Sequence, residues 1–166
     1  MQTQNLMKKL FICLLSVGLT AFSITAQEKV TRTNVIGNWK IVSLAIPGTV
    51  YYNIEKDSLS PEETLLAQIG TGEDSAKAVA NMKSALALLK DMAFKFNADG
   101  KGVITDGINP DKEISYTVDE EAAVLTTITL ENGAEEKLKA SFVKEYMRLE
   151  FEDTDNHIVF FVRKQK

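Results

Sequence analysis

One cysteine, one histidine and no run of basic residues are what this chain of 166 residues offers to several large classes of protein chemistry. Cys13 sits inside an apolar stretch near the N-terminus. The Leu10-Phe11-Ile12 before it lacks the small side chains of a lipid-attachment point. His157 stands alone beside a turn, so neither a zinc site built on paired histidines nor a Ser-His-Asp relay has its parts. No G-x-x-x-x-G-K-[ST] or dinucleotide spacing accompanies the glycines of Gly100-Lys101-Gly102, which suit a hairpin instead of a phosphate cradle. A formal charge of −4 without a basic patch in the sequence argues against nucleic acid and against anionic membrane surfaces, both of which attract through Lys and Arg.

The one long uncharged run, Leu10 to Phe22, follows Lys8-Lys9 and precedes Ser23-Ile24-Thr25-Ala26 and the polar Gln27-Glu28-Lys29. That layout is a secretory signal peptide over 1–26, too short and too polar at Ser16 and Thr20 for the roughly 20 apolar residues of a membrane span. The expectation is an exported protein, periplasmic or secreted, without a membrane segment after cleavage. Removing two lysines and no acid would leave 140 residues at a charge of −6, with no thiol. A single domain of that size buries about 68% of its unfolded surface without disulfides.

After a flexible lead-in over 27–34, the domain is expected to run from 35 to 166. Val35 to Ala45 reads as a strand with Val35, Gly37, Trp39, Ile41 and Ser43 in one phase, and Pro47-Gly48 turns it into a second strand, Thr49 to Ile54. The period changes at Ser60-Pro61-Glu62-Glu63, a cap hydroxyl with proline at the first helical position, and Gly70 closes a short helix. A second helix follows from Asp74, with Val79, Met82, Leu86 and Leu89 on one stripe, ending near Met92. From Ala93 onward short alternating strands and tight turns continue to Lys164. Examples are Ile114, Tyr116 and Val118 against Ser115 and Thr117, then Leu138, Ala140 and Phe142 against Lys137, Lys139 and Ser141. The fold class is therefore mainly β: a single antiparallel meander barrel of eight or nine strands with a two-helix insertion, 60–92, after the first hairpin.

In the last strand Ile158, Phe160 and Val162 share one face, and Val159 and Phe161 the other. A strand apolar on both faces needs cover on both, so the helices are expected to lie on the outer wall over this strand in preference to a lid position at the barrel mouth.

Gly37-Asn38-Trp39 at the start of the first strand resembles the G-x-W signature of the lipocalins and of the lipocalin-like families common in exported proteins of Bacteroidetes. The ending Val159-Phe160-Phe161-Val162-Arg163-Lys164 is similar to the close of such chains. The resemblance implies a barrel floor of Gly37, Trp39 and Arg163, with the arginine packed over the indole.

Three functions fit. The first is a non-enzymatic carrier of a small hydrophobic molecule, its cavity lined by Phe94, Phe96, Tyr116, Ile128, Phe142, Leu149 and Phe151. The second is a solid-core interaction module engaging another exported protein. The third is a hydrolase or isomerase with paired carboxylates at the barrel mouth, for which the sequence carries no marker. No metal and no cofactor is implied. The acidic turns Asp119-Glu120-Glu121 and Glu152-Asp153-Thr154-Asp155 lack the ligand spacing of a calcium loop.

Overall fold

A computed structural model describes residues 28–70, 72–153 and 156–166; the leader expected over 1–26 lies outside the described residues. Ten strands follow in chain order: β1 Gly37–Ile46, β2 Val50–Asn53, β3 Ser58–Pro61, β4 Ala93–Phe96 and β5 Lys101–Thr105, then β6 Lys112–Asp119, β7 Val124–Thr129, β8 Glu135–Val143, β9 Tyr146–Asp153 and β10 Asn156–Lys164. Each of β4 to β10 pairs antiparallel with its predecessor or successor, and β10 pairs back onto β1. Eight strands, β1 and β4–β10, thereby close a barrel. Closure satisfies the edge hydrogen bonds that an open meander would leave exposed.

The additional strands arise at β1. Its first half, Gly37–Lys40, pairs with β4, while its second half, Ser43–Ile46, pairs with β2. Between them the register against β10 shifts from Ile41↔Val162 to Ser43↔Phe161. This is a β-bulge at Val42, one extra residue that re-aims everything beyond it. The Ile41 amide donates to Met92 O, and Val42 O accepts from the Ile54 amide, so the bulge is where the strand changes partner. As a result Leu44 joins Trp39 and Ile41 inside, and Ser43 points outward. The single phase expected through Ser43 is broken there. The β2–β3 hairpin extends the sheet beyond the closed wall.

The floor is built from a segment expected to be flexible. Thr31 caps a single helical turn, α1 Arg32–Val35, in a capping box with Asn34: the Asn34 amide donates to Thr31 Oγ1 at 3.3 Å and the Thr31 amide to Asn34 Oδ1 at 2.8 Å. Val30 and Val35 are buried in the core. Arg32 ties this turn across two hairpins, with its amide donating to Glu120 Oε1 and its guanidinium to Ala98 O. These contacts tie the lead-in to the barrel.

At the opposite side, Ser60 and Pro61 belong to β3 and do not start a helix. Helix α2 spans Glu63–Ile69, with Glu62 as its N-cap residue. The Glu62 carboxylate accepts from the Gly48 amide at 2.9 Å, linking the helix start to the β1–β2 turn. Gly70 ends α2 at φ 70°, and α3 Glu73–Leu86 continues into a 3₁₀ turn, Ala87–Asp91. Leu86, Leu89 and Met92 pack against the barrel's own interior core, and the 3₁₀ turn lies against β1. The outer-wall position over β10 is thus corrected. Phe160 and Val162 face inward and are buried. Of the apolar stripe, Leu86 and Leu89 reach the core, beside the point where β1 exchanges β4 for β2. Asp57, at φ 47°, fastens the hairpin to α3 by accepting from the Tyr52 hydroxyl at 2.8 Å and pairing with Lys83 at 2.9 Å.

The β5–β6 loop is organised by Asp106, whose carboxylate accepts from the amides of Ile108 and Asn109 and from the Asn109 side chain. The Asn109 side chain, followed by the two amides, holds its carboxyl down at about 2. A depressed folded-state value means that the loop's contribution to stability is complete above the ordinary carboxyl range, near 4, and is lost as pH falls toward 2. A side-chain carboxyl NMR titration is expected to place the Asp106 midpoint near 2; a midpoint at the ordinary 3.8 would show that these bonds do not hold in solution.

Candidate functional site

Alternation sends every second side chain of each wall strand into the barrel. Of the seven residues expected to line a cavity, Phe94, Phe96, Tyr116, Phe142 and Leu149 are buried in the core and Phe151 packs against it. Ile128 does not belong with them. It is 38% exposed on the outer face, and Thr127, 3% exposed, takes the inward place opposite Tyr116. Inward parity in β7 runs from Leu125 to Thr127, so the more apolar neighbour is on the wrong side.

The inward rings meet one another. Tyr116 stacks edge-on against Phe96 at 5.0 Å, Phe96 lies beside Phe94 at 6.3 Å, Phe94 reaches Phe160 at 6.5 Å, and Phe160 meets Phe151 edge-on at 5.2 Å. Trp39 adds a contact with Phe142 at 6.0 Å. Aromatic pairs in this range are close-packed and mutually attractive. At the floor, the Tyr116 hydroxyl donates to Asn97 O at 2.6 Å, and Trp39 Nε1 donates to Val35 O at 2.7 Å.

The cation over the indole is Lys164, not Arg163. Lys164 Nζ stands 5.4 Å from the Trp39 ring, and the two residues are register partners. Arg163 is one residue out of phase, opposite Lys40, and therefore points outward. Gly37, at φ 143°, leaves room for the Lys164 stem, which a Cβ at that position would overlap. Arg163 instead pairs with Glu55 of the β2–β3 turn. Since β2 and β10 flank β1 on its two sides, this ion pair crosses the outside of β1 close to the bulge.

Two clefts adjoin that crossing and share Val42 and Glu55 in their walls. One, of about 300 Å³, is lined by Val42, Tyr51, Val143, Tyr146 and Phe161, with Lys144 and Asn53 at its polar margin. The other, of about 790 Å³, is lined by Lys40, Lys90, Arg163 and Lys166 around Val42 and Ile54, with Glu55 and Asp91 as its acids. The neighbouring Glu145 carboxylate raises the Tyr146 hydroxyl above its ordinary range. Of these outer residues the sequence singles out Arg163, for the barrel floor and not for this cleft. The alternation of β10 marked Phe161 as lying on the second face, but which strands flank it is a matter of tertiary pairing.

His157 lies 2.5 Å from Glu150 on β9, where Arg148 also pairs. Glu150 is held below the ordinary carboxylate range, first by Arg148 and then by His157. The displaced carboxyls Asp57, Asp106, Glu145 and Glu150 are all displaced downward. Among the described residues no three His, Cys, Asp or Glu side chains converge as metal ligands, and no helix is long and apolar enough to cross a membrane. No family model, curated protein or solved structure matches this chain.

Proposed function

We propose that this is an exported, non-enzymatic binding module of lipocalin-like build, with a solid barrel interior, that engages another exported protein on its outer wall around the β1 bulge. The observation that supports this reading is the run of neighbouring rings from Tyr116 to Phe151, with centroids 5.0–6.5 Å apart, across the interior that a carrier would keep open. Recognition is left to the outside, where the aromatic cleft beside Val42 offers apolar walls with a few polar groups at its margin. Tyr51 and Val143 there are 38% and 44% exposed, large apolar surfaces of the kind that protein interfaces cover. Asp57, Asp106, Glu145 and Glu150, held below the ordinary carboxyl range, lend no support to the enzyme reading, because a general acid at neutral pH needs the opposite displacement.

Native mass spectrometry of the protein purified from its own host tests the solid interior. The expected result is the mass of the polypeptide alone. A small hydrophobic molecule retained in equal proportion to the protein would transfer the function to the barrel interior.

A further inference from the structure

We infer that the basic cleft beside the bulge takes a carboxylate of an acidic peptide segment, with an apolar side chain of the same segment in the adjoining aromatic cleft. This inference rests on the outer-wall reading and supplies the partner's chemistry.

Charge is distributed unevenly on this protein. The whole chain carries −4, yet Lys40, Lys90, Arg163, Lys164 and Lys166 converge on one cleft whose acidic side chains are Glu55 and Asp91. Among the described residues no ion pair reaches Lys40, Lys90 or Lys166, and Glu55 is already engaged by Arg163. Cations gathered in a concave, partly apolar site focus their field on what enters it. Such complementarity selects partners more strongly than buried area does.

The occupant's form follows from the surroundings. A nucleic acid or an anionic membrane presents uniform negative charge over a wide surface and meets the acidic remainder of this protein beyond the cleft. A short segment places its carboxylate in the cleft alone. The two clefts meet at Val42 and Glu55, so a carboxylate and a neighbouring apolar side chain can occupy them together. Glu55 itself stands on Arg163 as a partner's carboxylate would. Located in the exposed turn after β2, it acts as an internal competitor that the segment displaces.

The probes are two fluorescein-labelled peptides, one glutamate-rich with a single phenylalanine and the other with glutamine in place of every glutamate. Both are measured by anisotropy against the full chain at low and at physiological salt. The glutamate peptide is expected to bind and to weaken with salt, the glutamine peptide to bind at least about tenfold more weakly. The double variant Lys40→Glu, Lys90→Glu, at exposed positions and expected to keep the wild-type circular dichroism spectrum, is expected to lose roughly tenfold in affinity. Glu55→Gln, which frees Arg163, is expected to gain several-fold.

Equal binding of the two peptides, with Tyr51→Ala weakening both, overturns the charge inference and leaves the outer-wall reading standing. An absence of binding by either peptide overturns the inference, and a small molecule found inside the barrel overturns the reading beneath it. Unchanged affinity in the Lys40→Glu, Lys90→Glu variant overturns the assignment of the cleft.

Discussion

Trp39→Ala is expected to cost about 4 kcal/mol of folding free energy, the usual loss for removing a buried tryptophan, made up of lost transfer energy and the cavity left behind. Trp39 is 3% exposed and touches Phe142 from the floor of the barrel. Its Nε1 is the donor to Val35 O, one of the bonds that seat α1 beside those of Arg32. Alanine would leave the carbonyl under the floor without this partner, a penalty of about 1–3 kcal/mol when no water replaces it. It would also free Lys164, whose position over the indole contributes about 0.5–1 kcal/mol at a partly exposed site. With total stabilities of about 5–15 kcal/mol for such domains, the variant stands near its unfolding threshold at physiological temperature. Urea unfolding followed by circular dichroism measures this, since the substitution removes the chain's only tryptophan fluorophore. Trp39→Phe keeps most of the apolar area but not the donor, and is expected to lose about half as much. A Trp39→Ala loss below about 1 kcal/mol would mean that the floor is held by α1 without its indole partner.

A second large effect is expected at Gly102, where the obstacle is backbone. Gly102 lies in β5 between Phe96 of β4 and Ile114 of β6, facing inward and buried. A Cβ there would overlap the carbonyl oxygen of Lys95 and stand 3.2 Å from the Ile114 side chain. A flexible side chain could swing aside, but a carbonyl in a paired strand cannot move without breaking its ladder. Gly102→Val is therefore expected to exceed the 1–3 kcal/mol typical of overpacking, at roughly 3–4 kcal/mol, and to perturb the stacking of Phe94 on Phe96. The midpoint of urea unfolding gives the energy, and ring-current shifts around Phe96 give the site of damage. A variant with wild-type midpoint and shifts would mean that the β4–β5 pair can separate locally without consequence for closure.

Gly102 also shows how far sequence reasoning reached. Read from the chain alone, both glycines of Gly100-Lys101-Gly102 suit a hairpin turn, where a positive φ is needed. That requirement falls on Gly100, at φ 84°, whereas Gly102 is glycine because another strand passes close by. Turn chemistry is local and legible. Close approach is a contact between β4 and β5 across the hairpin and is not.

The candidate site divides the same way. Buried Phe94, Phe96, Tyr116, Phe142 and Leu149 were legible because alternation within a regular strand assigns faces without knowing the partner. Ile128 was misassigned because hydrophobicity outweighed its odd spacing from Leu125. Arg163 over the indole follows from placing Phe160 and Val162 on the outer face of the last strand, whereas in the closed barrel Phe160 and Val162 are inside and Lys164 stands opposite Trp39. Alternation separates the two faces of a strand, but barrel closure decides which of them is the inner one.

Other features could not be counted. The bulge at Val42 reverses parity within an otherwise alternating strand, and nothing in Ile41-Val42-Ser43 distinguishes it from a regular segment. Its cause is non-local, since β1 must serve β4 along its first half and β2 along its second. Likewise the stripe Val79, Met82, Leu86 and Leu89 announces a helix with an apolar face, but the surface that receives Leu86 and Leu89 exists only when the barrel closes.

By itself, the amino-acid order determined which segments extend, where they turn and which side chains share a face, because those follow from steric rules acting over a few residues. Tertiary structure decided the point at which β1 changes neighbour, the seating of the helices on the interior, and the meeting of Lys40, Lys90 and Arg163 beside Tyr51 and Phe161. These depend on pairing between strands far apart in the chain, whose energy no local segment carries.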